Sequence, residues 1–170
     1  MDVRSKQEEF MQVYEPLHGR FERYCKTRCN GNALFRDVMH DTLLIAFEKF
    51  ESIQSREAFL HFLFGTASRV LANQRRKKKP EFVEDFAERF RHLPEDTNNA
   101  ERALEIQQLY EQLNLLDDTT RECLILFEIS GFSIREIMDI LNLSESTVKQ
   151  RLSRGRKQLL ERMMALETNP

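Results

Sequence analysis

The sequence predicts an all-α protein of two small helical domains joined by an acidic linker. Three observations carry this. Glycine (5) and proline (4) are scarce in 170 residues, so few positions break a helix. Leucine is plentiful at 21 against 6 valines, which favours helices over strands. The charged residues, 32% of the chain, are segregated along it rather than mixed. Residues 1–80 hold 15 basic and 10 acidic side chains, residues 81–105 hold 3 and 8, and residues 106–170 hold 8 and 10. Pro80, Pro94 and the Asn98-Asn99 pair are turn formers in or beside the middle segment, which reads as the linker. The expected domains are therefore 1–80 and 106–170, a size at which helical units can fold alone.

In the first domain, residues 10–28 read as a helix whose start or kink lies at Pro16. Phe35, Met39, Leu43, Phe47 and Phe50 then recur at helical spacing and mark the inner face of the next helix. Asp37, Asp41, Leu44 and Glu48 form another stripe of it, an acidic ridge with an apolar residue in its middle. Such a ridge is either a solvated face or a docking surface for a basic helix of a partner. Ser55 can cap a third helix, with Phe59, Leu63, Ala67, Val70, Leu71 and Gln74 facing in. That helix ends in Arg75, Arg76, Lys77, Lys78 and Lys79 before Pro80. Bases suit the negative pole of the helix dipole, but five exceed what capping needs. Beside the aromatic residues Phe59, Phe62 and Phe64 they suit single-stranded nucleic acid, cations tracking phosphates and rings stacking on bases.

In the second domain, Thr119 with Glu122 has capping-box spacing, and Gly131 is placed to end the helix they open. Ser133 with Glu136 is a second capping box. It opens a short helix with Ile134, Ile137, Met138 and Leu141 on one side. Asn142-Leu143-Ser144 makes a turn, and a last helix follows with Val148, Leu152, Gly155 and Leu159 inside. Short helix, tight turn and longer helix are the helix-turn-helix arrangement. The opposite face centres on Ser146, Gln150, Ser153 and Lys157, flanked by Thr147, Lys149, Arg154 and Arg156. Small polar and amide groups can reach base edges in the major groove while the cations hold phosphates. The plainer alternative is an amphipathic surface helix with solvated cations.

Several classes are excluded. The longest apolar runs are about five residues, whereas a membrane span needs roughly 20, so no direct membrane insertion is expected. Residues 1–9 lack the apolar stretch of a secretory signal. Three cysteines without framework spacing suit a reducing cytoplasm, the expected location. The net charge of −2 at first argues against nucleic acid, but it hides two basic patches, at residues 69–79 and 149–162.

In this order and at this length the chain resembles the bacterial RNA polymerase sigma factors of the extracytoplasmic-function (ECF) group of the sigma-70 family. The resemblance covers roughly residues 14–163. Asp37-Val38-Met39-His40-Asp41-Thr42-Leu43 resembles region 2.2, and Ala58-Phe59-Leu60-His61-Phe62-Leu63-Phe64-Gly65-Thr66-Ala67 with the basic tail resembles regions 2.3 and 2.4. Residues 121–131 and Ser133-Ile134-Arg135-Glu136-Ile137 resemble the start of region 4, and Ser146-Thr147-Val148-Lys149-Gln150-Arg151-Leu152 its recognition helix. The chain departs from the family at His40, where glutamine is frequent, and at Phe47, Phe62 and Phe64, where tryptophan or tyrosine is frequent. Ser68-Arg69 replaces a usual Arg-Asn pair.

The resemblance implies a joint mechanism. Asp37, Asp41, Leu44 and Glu48 would dock on core RNA polymerase. The loop of residues 52–57 and the start of the next helix would take a flipped base of the minus-ten element. Gln54, Ser55, Arg56, Phe62 and Asn73 belong to that contact, and Arg69, Arg75, Arg76, Lys77, Lys78 and Lys79 would hold phosphates around the melted segment. Ser146, Thr147, Lys149, Gln150, Arg151, Ser153, Arg154, Arg156 and Lys157 would read the minus-thirty-five element. The acidic linker would thread the RNA-exit path of the core. The implied partners are core polymerase, promoter DNA and an anti-sigma factor. No cofactor, metal or small-molecule substrate is implied, and no catalysis. His18, Cys25 and Cys29 lie at turn spacings but lack an apparent fourth ligand. The rival readings are a stand-alone helix-turn-helix regulator, which needs a dimer face, and a helical protein-interaction adaptor. The chain shows no heptad repeat after Leu159.

Overall fold

The structure, a computed structural model, describes residues 2–30, 34–77 and 100–168. Every regular element among the described residues is helical, as the composition predicts. The chain divides into two compact units, one holding the helices up to Lys77 together with Asp139–Asn142, and one holding the rest of the helices from Ala100 on.

In the first unit, α1 (Val3–Tyr14) begins well before the apolar signal at Phe10. Between Val3 and Phe10 its residues are all polar, so no apolar periodicity announces it. Lys6 anchors them, with Nζ 3.4 Å from Glu51 Oε2 and 4.8 Å from the centre of the Phe47 ring. Pro16 sits near the start of a single 3₁₀ turn (Glu15–Leu17), where its missing N–H costs nothing, and α2 (His18–Arg28) follows. The break expected at Pro16 is thus a joint between two helices.

The inner face of α3 (Leu34–Lys49) differs from the expected stripe. Phe35 and Met39 are buried, but Leu43, Phe47 and Phe50 are only half-buried, and Val38, Thr42 and Ala46 are fully buried instead. The core turns towards the adjacent, smaller residues, which let the helix pack closely, and Thr42 satisfies its hydroxyl by donating to Val38 O at 2.6 Å. α4 (Arg56–Lys77) is capped as predicted, Ala58 N–H donating to Ser55 Oγ at 3.0 Å. Phe59, Leu63, Phe64, Ala67 and Leu71 are buried on it, while Val70 and Gln74 are only half-buried. The Phe10 ring meets Phe47, Phe50 and Phe59 edge-on with centroids 5.3 to 5.5 Å apart, the geometry aromatic quadrupoles favour.

In the second unit, α5 (Ala100–Asn114) includes residues 100–105, which the sequence suggests as the end of the linker. The rest of that segment, with Lys78 and Lys79, lies outside the described residues. α6 (Asp118–Leu124) is capped by Asp117, whose Oδ1 accepts from Thr120 N–H at 3.0 Å. The Thr119/Glu122 box does not form, because Glu122 is buried in the core rather than turned back to the helix start. The helix runs on through one π turn (Ile125–Ile129), closed by Ser130 N–H donating to Ile125 O at 2.9 Å, and ends at Gly131 with φ +72°. The second capping box forms as read. Ser133 N–H donates to Glu136 Oε2 at 2.8 Å, and Glu136 N–H returns to Ser133 Oγ at 3.2 Å. It opens α7 (Ile134–Leu141). A turn with Asn142 at φ +53° leads to α8 (Glu145–Glu167), capped by Ser144 through Thr147 N–H.

Gly155 lets α8 approach α6. A Cβ there would lie 2.7 Å from both Leu124 Cδ1 and Thr120 Cγ2, and both neighbours are buried. Gly155→Val is therefore expected to destabilise this unit. Overpacking costs about 1–3 kcal/mol, more than the roughly 0.3 kcal/mol gained in helix propensity. The melting temperature followed by circular dichroism should fall by about 4–8 °C per kcal/mol. A variant melting like the parent would refute the close packing of these helices.

Candidate nucleic-acid interface

Three surfaces gather the residues singled out in the sequence. The first is the outer face of α8. Ser146, Lys149, Gln150, Ser153, Arg154, Arg156 and Lys157 are exposed, while Thr147 and Arg151 are half-buried. Val148, Leu152 and Gly155 are buried on the opposite side, and Leu159 is half-buried. Helical periodicity thus sorts the helix into a packed and a free face, as the spacing requires. Thr147 is drawn into the cap, its Oγ1 2.7 Å from Ser144 Oγ.

The cations on α8 are not equivalent. Lys149 pairs with Glu145 one turn earlier at 2.5 Å, and Lys157 lies 4.0 Å from Glu161. Arg151 reaches off the helix, with Nη1 3.0 Å from Asp117 Oδ1 and 3.4 Å from Thr120 Oγ1. Arg156 also reaches away. Its Nε and Nη2 each lie 2.7 Å from Glu128 Oε1, and its guanidinium sits 5.2 Å from the Phe127 ring centre. Arg154 makes no ion pair among the described residues. Partial burial works to raise the Asp117 pKa. Hydrogen bonds from the Thr120 side chain and backbone, with the nearby charges of Arg151 and Arg154, outweigh it and hold the carboxyl below its ordinary value.

The second surface is a cavity of about 570 Å³ in the first unit. Ile45 and Lys49 of α3, Ser52, Ile53 and Gln54 of the connection, and Ala58, Phe62 and Arg69 of α4 line it. A smaller one of about 180 Å³ shares Ile53 and Gln54 and adds Ser55 and Arg56. Of the residues expected around a melted strand, Gln54, Phe62 and Arg69 are thus brought together, and Ser55 and Arg56 lie next to them. Asn73, Arg75 and Arg76 lie further along α4, exposed and lining neither cavity, and Lys77 closes the helix. Ile53 and Ala58 fall in the loop and helix start that the sequence points to, whereas sequence reasoning misses Ile45 and Lys49. A lysine closing a helix just before a suspected loop is the signal that could have added Lys49.

The third surface is the ridge on α3. Asp37, Asp41, Leu44 and Glu48 are all exposed, Leu44 to 52%, and Ile45 beside them to 38%. The three carboxylates make no ion pair among the described residues, so their charge is open to a partner.

The turn spacing of His18, Cys25 and Cys29 does not gather them into a ligand set. Cys25 is buried, and His18 Nδ1 is 2.8 Å from Tyr14 Oη, whose pKa is pushed up to about 12 by burial and then by Cys25 and Glu22. Among the described residues no group of three or more His, Cys, Asp or Glu side chains could hold a metal ion. Burial and then the neighbouring Glu122 push the Cys123 thiol up to about 11, which makes it inert rather than nucleophilic. No described helix is long and apolar enough to cross a membrane.

A family model for sigma-70 region 4 matches residues 106–159, from α5 into α8. The ECF RNA polymerase sigma factor SigW of Bacillus subtilis is 25% identical over 174 residues, covering 94% of this chain and 91% of SigW. The ECF RNA polymerase sigma factor EcfG of Rhodopseudomonas palustris is 30% identical over 127 residues, covering 72% of this chain and 67% of EcfG. This chain belongs to the ECF RNA polymerase sigma factors. The fold of this sigma factor agrees. It matches the sigma factor RpoE, solved with the anti-sigma factor NepR from Bartonella quintana, at a TM-score of 0.64 and 23% identity, over 95% of this chain and 98% of that one. It matches CnrH, solved with the cytosolic domain of CnrY, at a TM-score of 0.69 and 20% identity, over 96% and 91%. The sigma factor is thus a transcription-initiation and DNA-binding factor.

Proposed function

We propose that this sigma factor binds core RNA polymerase, captures an unstacked base of the minus-ten element and reads the minus-thirty-five element. Residues 1–80 carry the first two tasks, residues 106–170 the third, and residues 81–105 tether them. The cavity bounded by the connection between α3 and α4 carries this reading. Its lining supplies Phe62, Ile45 and Ile53 for apolar contact with a base, Gln54 for a hydrogen bond to the base edge, and Lys49 and Arg69 as cations for adjacent phosphates. Unstacking a base costs a few kcal/mol, and stacking worth roughly 1–3 kcal/mol per base offsets it. The exposed polar face of α8 supports groove reading. The uncompensated carboxylates of α3 support docking on a basic helix of the core. The factor itself catalyses nothing, works in the cytoplasm and is held inactive by an anti-sigma factor.

Run-off transcription with purified core polymerase on a genomic DNA library, with and without this protein, tests the reading. Transcripts that appear only with the protein and share two upstream elements are the expected result. Transcription unchanged by the protein would overturn it.

A further inference from the structure

Arg151 and Arg156 look in the sequence like two more phosphate contacts. On a helix with 3.6 residues per turn they sit about 130° and 90° from the centre of the face formed by Ser146, Gln150, Ser153 and Lys157. Both reach to carboxylates far along the chain, Arg151 to Asp117 and Arg156 to Glu128. The second clamp rests on an uncommon feature. Phe127 and Glu128 lie in the π turn, whose extra residue re-aims their side chains relative to a continued α-helix. There the carboxylate meets two nitrogens of Arg156 and the Phe127 ring meets its guanidinium face. The two clamps hold α8 at points more than a turn apart, one against the start of α6 and one against its end.

We propose that Arg151 and Arg156 are positioning residues that do not hold DNA: through Asp117, and through Glu128 with Phe127, they set the angle at which α8 presents Gln150, Ser153, Arg154 and Lys157 to the groove. The proposal rests on reading α8 as the DNA-reading helix. Exposed ion pairs add little to stability, so its consequence appears in DNA binding rather than in melting. It also makes a prediction of sign. A carboxylate that merely sat near DNA would repel phosphates, and its removal would strengthen binding. A carboxylate that aims the helix weakens binding when removed.

The test uses holoenzyme reconstituted from core polymerase and the full chain. Binding to a fluorescent minus-thirty-five duplex from the transcription screen, and to a scrambled duplex, is measured between 50 and 200 mM salt. Arg154→Gln and Lys157→Gln should each lower the slope of log affinity against log salt by about 0.9, the loss of one phosphate contact. Arg151→Gln, Arg156→Gln and Glu128→Gln should leave the slope unchanged and reduce preference for the specific duplex about 5- to 10-fold, roughly the share of one base contact. Glu128→Gln with Arg156→Gln should be no worse than either alone. Asp117→Asn keeps a good helix cap and should lose preference as Arg151→Gln does. Tighter binding by Glu128→Gln, or a slope lowered by about one in Arg156→Gln, overturns the proposal. If the parent holoenzyme fails to distinguish the two duplexes, or Arg154→Gln and Lys157→Gln leave the slope untouched, α8 does not read DNA and the proposal falls with that reading.

Discussion

Asp41→Lys combined with Glu48→Lys is expected to abolish co-purification with core RNA polymerase while leaving the helical circular-dichroism spectrum intact. Asp37, Asp41, Leu44 and Glu48 recur at four, three and four residues and share one face of α3. The buried residues of that helix, Phe35, Val38, Met39, Thr42 and Ala46, lie on the other side, so the change does not reach the core. Neither carboxylate makes an ion pair among the described residues, so reversing them breaks no internal contact. At an interface with a basic partner helix, each reversal replaces an attraction with a like-charge juxtaposition costing several kcal/mol. Two such changes exceed a hundredfold in affinity. Leu44, exposed in the middle of the ridge, supplies the apolar contact, and Leu44→Ala should weaken binding without abolishing it. Unchanged co-purification of the double reversal would remove the ridge from the interface.

Local signals are the most legible part of this chain. The Ser133/Glu136 box, the Ser55 cap and the Gly131 stop each depend on residues within a few positions of one another, and each forms. Where two local signals compete, sequence reasoning picks the wrong one. Asp117 caps α6 instead of Thr119, because the Glu122 that would complete a box with Thr119 is needed in the core. The stripe on α3 is misplaced because evenly spaced large residues outweigh the small Val38 and Ala46 beside them. The start of α1 is invisible because Lys6 secures it through Glu51 and Phe47, far away in sequence. The same limit applies to the sites. The loop between α3 and α4 is found from its turn residues and the family resemblance, but Lys49 and Ile45 join its cavity only through the folding of α3 against α4. Asp117 and Glu128 cannot be paired with Arg151 and Arg156 from spacing, since 34 and 28 residues separate them.

Filling the cavity should separate DNA melting from every other step. Ala58 is exposed in the first turn of α4, and the Ser55 cap uses its backbone N–H, which the substitution keeps. Ala58→Trp therefore places a large ring at the cavity wall without entering the core. If the cavity takes an unstacked base, the indole competes for its place, and the roughly 1–3 kcal/mol of stacking is lost. At 1.4 kcal/mol per tenfold this is about a 5- to 150-fold loss of open complexes, read as permanganate reactivity of thymines in the melted segment. Core binding and affinity for a minus-thirty-five duplex should stay at parental levels, because neither uses this cavity. Phe62→Ala acts in the opposite steric sense, enlarging the cavity while removing its ring. Loss of reactivity in both variants identifies stacking inside the cavity as the cause, because a ring that only blocked the passage of the strand would spare the enlarged one. Parental reactivity in Ala58→Trp would mean that the base lodges elsewhere, and Lys49 and Arg69 would then face solvent rather than phosphate.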